Sequence, residues 1–114
     1  MIPVTRPEQV PVVTVYRRDG IVQLNKAATL LINPTGHTGI DLLQPLAPEQ
    51  PWKLDRRLGS PGLLNYTFGR PARFRAYARL FLFFAVQPTT INSLRFEMKP
   101  DPDYPDLYLL CPLN

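Results

Sequence analysis

Short apolar runs separated by turn residues fill the chain, and their spacing predicts strands more often than helices. Val12–Tyr16 (VVTVY) is β-branched and aromatic, the composition of a strand. Arg18-Asp19-Gly20 follows; Asp-Gly is the strongest short hairpin signal, so IVQL at 21–24 reads as the returning strand. Asn25 then suits the N-cap of a short helix over residues 26–32, which Asn33-Pro34 stops. Residues 35–39 (TGHTG) predict a loop, residues 40–43 and 52–54 two strands, and 59–62 (GSPG) a central break. Beyond it, residues 63–68 read as a strand and Gly69-Arg70-Pro71 as a turn. Residues 76–84 form a second apolar helix candidate, although their FLFF suits a strand as well. Residues 94–98 alternate Leu, Phe and Met with Arg and Glu, as a half-buried strand does, and residues 107–110 close the chain.

Fourteen prolines punctuate this pattern. Pro3, Pro7 and Pro11 make residues 1–11 an extended N-terminal arm. Pro45, Pro48 and Pro51, and again Pro100, Pro102 and Pro105, mark connections between strands, because proline cannot donate to a ladder.

A repeat runs through the same elements. LNKAATLLI (24–32) aligns with FRAYARLFL (74–82), so that Leu24, Ala28, Leu30, Leu31 and Ile32 fall on Phe74, Ala78, Leu80, Phe81 and Leu82. Each block follows a glycine turn and precedes an apolar strand, a proline-rich connection and a strand opened by an aromatic. The pattern predicts a tandem duplication, with pseudo-repeats 12–58 and 63–111 inside one domain, 12–114. The expected fold class is α+β, mainly β: a small barrel built from two similar strand–turn–strand–helix–strand–strand halves.

Composition narrows what such a domain does. With 114 residues, 45% hydrophobic and 19% charged, the chain is of single-domain size and apolar enough to fold. Its longest apolar runs, such as 80–86, fall far short of the ~20 residues needed to span a bilayer. The N-terminus has no basic segment followed by an apolar one, so no secretory signal is expected. A single cysteine, Cys111, forbids an internal disulfide, and a single histidine, His37, leaves no imidazole pair for zinc. A cytoplasmic setting without cofactor or metal is the expectation.

Charge supplies the positive clue. The net charge is +4, and ten of the thirteen cations are arginine, the side chain suited to bidentate phosphate contacts and stacking. The last fifteen residues hold Asp101, Asp103 and Asp106 and no base, leaving +7 on residues 1–99 (13 basic minus 6 acidic). A basic body with an acidic end points to an anionic partner, nucleic acid before membrane. GRPARFRAYAR (69–79) is the densest cluster, and its counterpart in the first half is Arg17, Arg18 and Lys26. The candidate nucleic-acid-binding set is therefore Arg17, Arg18, Lys26, Arg70, Arg73 and Arg75, with Tyr16, Phe74 and Tyr77 interleaved where bases would stack.

Other groups carry less. Lys53, Arg56 and Arg57, broken by Asp55, read as an exposed strand end. His37 lacks placeable partners, and TGHTG lacks the spacing of a phosphate loop. The aspartates at 101, 103 and 106 each neighbour proline, as in turns, and Cys111 reads as a small packed thiol. No nucleophile–base pair or metal set can be assembled, so no enzyme is expected.

The first unit, VTVYRRDGIVQLNKAATLLINPTGHTGIDLL, resembles the AbrB-type swapped-hairpin family of bacterial transition-state regulators and antitoxins. Val13 and Val15, Arg17-Arg18, Gly20, Ile21, Leu24, Leu30-Leu31, Gly39 and the strand at 40–42 carry the resemblance. It covers residues 12–55 and, more weakly, 63–110. The family has a proline before its helix where this chain has Asn25, and Gly69-Arg70-Pro71 departs from its pattern. The resemblance implies a duplicated form closing its barrel within one chain, with DNA contacted by Arg17, Arg18, Arg70 and Arg73. The functional expectation is a non-enzymatic DNA-binding regulator with DNA as partner, no membrane, and a homodimer or protein partner in addition. The alternative is a protein-interaction or structural module assembling through apolar and aromatic surfaces.

Overall fold

A computed structural model of the chain describes residues 10–32, 39–47, 49–56, 62–64, 71–75, 88 and 90–113. It is mainly β. The elements are β1 (Val12–Tyr16), β2 (Ile21–Leu24), α1 (Lys26–Ile32), β3 (Gly39–Leu43), β4 (Trp52–Asp55), β5 (Gly62–Leu63), β6 (Arg73–Arg75), β7 (Ser93–Pro100) and β8 (Leu107–Pro112). The second helix candidate, His37, Arg70, Tyr77 and most of the strand at 63–68 lie outside the described residues.

The strands pair in the order β5-β3-β4-β8-β7-β1-β2-β6, and every pairing is antiparallel. Seven form one continuous ladder, and β5 adds through the pairs Gly39–Leu63 and Ile40–Gly62. The two ends of the order, β5 and β6, approach within 8 Å between Cα atoms, so the sheet is a nearly closed barrel. Closure leaves little unpaired edge, which suits strands as short as three residues.

Period-two alternation sets the inside and outside of this barrel. Val13, Val15, Val22, Leu24, Ile40, Leu42, Leu54, Phe74, Phe96, Met98 and Leu110 point inward and form the buried core, with Trp52 and Leu94 packed against it. Phe74 is 2% exposed. It belongs to that core and not to a stacking surface, because β6 alternates exposed Arg73, buried Phe74 and exposed Arg75.

Local chemistry fixes the first hairpin and helix. Gly20 takes φ 64° at the end of the turn, where a side chain would clash. Asn25 joins three segments at once. Its Oδ1 accepts from the Ala28 backbone N–H at 2.9 Å, the N-cap bond, and from the Val12 N–H at 3.0 Å. Its Nδ2 donates to the Val10 carbonyl at 2.7 Å, and its own N–H donates to the Val12 carbonyl at 3.0 Å. A proline here would lose all four bonds.

The acidic end is a connection, not a tail. Residues 101–106 join β7 to β8, and Asp101 is buried. Its carboxylate accepts from Lys53 Nζ at 2.9 Å and from the Asp103 N–H at 2.9 Å. These bonds hold its pKa below the ordinary carboxylate value, the Asp103 N–H contributing most and Lys53 next.

Candidate nucleic-acid interface

In an antiparallel ladder, residues directly opposite each other share a face, so the printed registers define rows around the barrel. One outward row runs Arg73, Gln23, Thr14, Arg95 across β6, β2, β1 and β7. The adjacent row runs Arg75, Ile21, Tyr16, Ser93 across the same four strands. Arg73, Arg75, Arg95 and Ser93 are exposed, whereas Thr14, Tyr16, Ile21 and Gln23 are half-buried. At a strand spacing of about 4.8 Å the backbones of Arg73 and Arg95 stand about 14 Å apart, and those of Arg73 and Arg75 about 7 Å apart.

The face therefore has cations along two borders and a neutral middle. No acid occupies the eight positions. Glu97 lies next along β7, but Lys99 Nζ holds its carboxylate at 3.3 Å. The turn 17–20 lies at the Arg75 and Tyr16 end, bringing exposed Arg18 and Asp19 to that edge.

The sequence-predicted cations separate into distinct roles. Arg73 and Arg75 share one strand and one face. Arg18 stands at the rim. Lys26 is exposed but begins α1, beyond the opposite end of β2. Arg17 is half-buried, and its Nη2 donates to the Pro88 carbonyl at 3.1 Å while its backbone N–H donates to the Asn92 carbonyl at 2.9 Å. That places Arg17 as a tie between the hairpin turn and the segment leading into β7. Lys53 is engaged with Asp101, with its Nζ 5.9 Å from the Tyr104 ring centroid, and the Arg56 guanidinium donates to the Ile32 carbonyl. The second basic group is thus largely built into the framework. In the sequence Arg95 is only the polar half of an alternating strand; the successive pairings of β7 with β1, β1 with β2 and β2 with β6 bring it onto one face with the arginines of β6.

Cys111 is half-buried on the outer face of β8, opposite Glu97. No group of three or more potential metal ligands exists among the described residues. None of their helices is long and apolar enough to cross a membrane. Known family models, curated proteins and solved structures contain no match to this chain.

Proposed function

We propose that the chain is a non-enzymatic, cytoplasmic regulator that binds nucleic acid on the outer face of β6, β2, β1 and β7. The observation that carries this reading is the register that sets Arg73, Arg75 and Arg95 around a neutral strip free of carboxylates. Three guanidiniums on a rigid sheet are suited to phosphates, since each neutralised phosphate releases counterion and guanidinium geometry favours bidentate contacts. The chain's excess of arginine over lysine and the resemblance to the AbrB-type family support the same partner.

The test is fluorescence anisotropy with labelled DNA at low salt. Joint replacement of Arg73, Arg75 and Arg95 by Ala should abolish binding at tens of micromolar while leaving the fold intact, because exposed arginines add little stability. Replacing Lys26 by Ala should leave affinity unchanged. Undiminished binding by the triple variant would refute the assignment of this face.

A further inference from the structure

The strand order has a symmetry that the arginines do not share. Exchanging β1–β4 with β5–β8 maps the order β5-β3-β4-β8-β7-β1-β2-β6, read as a ring, onto itself. Registers agree: Leu42 faces Leu54 as Met98 faces Leu110, and Val22 faces Phe74 while the Leu24 N–H bonds the Ala72 carbonyl at 2.8 Å. Burial agrees too, since Ile40 and Phe96, Leu42 and Met98, Leu54 and Leu110, and Val15 and Leu64 are all buried. The pseudo-twofold axis then passes through the pair Gln23–Arg73 on one side and Lys53–Leu109 on the other.

The axis therefore crosses the proposed binding face between β6 and β2, yet it matches none of the three arginines with another cation. On this exchange Arg73 is matched by Gln23, Arg75 by Asn25 and Arg95 by Gly39. A twofold duplex site needs the same cations twice, as in symmetric dimers on palindromes. This face has them once. Its middle also offers the neighbouring pair Tyr16–Ile21, half-buried and flanked by Arg75. An aromatic and an aliphatic surface between cations suits unstacked bases, whereas a duplex keeps its base faces inside the stack.

We propose that this face takes one single-stranded nucleic acid per chain, in one fixed polarity, with phosphates on Arg73, Arg75 and Arg95 and a base on Tyr16. This rests on the nucleic-acid reading above and names its ligand. Removing Tyr16 by substitution to Ala should weaken binding at least about fivefold, and Phe should restore it, because base–aromatic stacking is worth ~1–3 kcal/mol.

Polarity is read by energy transfer from a donor on Cys111, the chain's single cysteine, to an acceptor on either end of an oligonucleotide of about six nucleotides. A second probe, Gln50→Cys in a Cys111→Ser background, guards against a perturbing label and uses an exposed position in the β3–β4 connection, off the face. The expected result is one oligonucleotide per chain, weaker binding of a palindromic duplex, and strong transfer from one end only. Equal transfer from both ends with both probes, or two chains per duplex at higher affinity, would overturn the inference while leaving nucleic-acid binding in place. Absence of binding to any strand would remove both.

Discussion

Asn25 offers the sharpest test of how the first half is held together. Replacing it with Ala removes the N-cap acceptor of α1, worth about 1 kcal/mol. It also deprives the Val12 N–H and the Val10 carbonyl of their side-chain partners, at 3.0 and 2.7 Å. These groups are partly buried, so losing them costs about 1–3 kcal/mol, reduced where water reaches the site. The sum is about 3 kcal/mol, or roughly a 12 °C fall in Tm for a domain of this size. Asp keeps the Oδ acceptor but not the Nδ2 donor, and should recover about half of the loss. Urea unfolding, followed by circular dichroism, gives both values from the shift in midpoint at constant slope. A loss below about 0.5 kcal/mol for Asn25→Ala would mean that these bonds are replaced by water at no cost, and would refute the role given to this residue.

Three further outcomes follow from the packing. Phe74→Ala should cost about 3–5 kcal/mol, as expected of a core ring, and an unfolding midpoint unchanged from the parent would contradict its burial. Arg17→Ala should lower stability through loss of the Pro88 carbonyl bond, by about 1 kcal/mol, without flattening the salt dependence of binding; a flatter dependence would make Arg17 a phosphate contact. Asp101→Asn should lower Tm near neutral pH, and the difference from the parent should shrink as pH falls below the unfolded-state value of 3.8 towards the depressed folded-state pKa. The sign follows from a folded-state pKa below the unfolded one, which stabilises at high pH and is lost on protonation; a difference constant with pH would contradict it.

How far the sequence discloses this molecule depends on where each signal originates. β1, β2 and α1 are legible because their causes are local: β-branched alternation, an Asp-Gly turn and an Asn cap. β7 extends to Pro100, past the clean alternation at 94–98, because pairing with β8 continues through Pro100–Tyr108. β6 has only one apolar residue in three, and its strand state comes from pairing with β2, a contact no local pattern contains. The same reason explains the site. Arg73 and Arg75 stand out as a charge cluster, but Arg95 joins their face through two intervening strands, and Arg17 donates to a carbonyl seventy-one residues away. Charge is written in the sequence; the partner of each charge is written in the register.

The most direct test of nucleic-acid binding by this face is the slope of log affinity against log salt for a single-stranded oligonucleotide. Three phosphate contacts predict a slope near about −2.1, from about −0.7 per contact, and joint replacement of Arg73 and Arg75 by Ala should flatten it by about 1.4. A slope unchanged by that replacement, or no binding by the parent chain at low salt, would contradict the account.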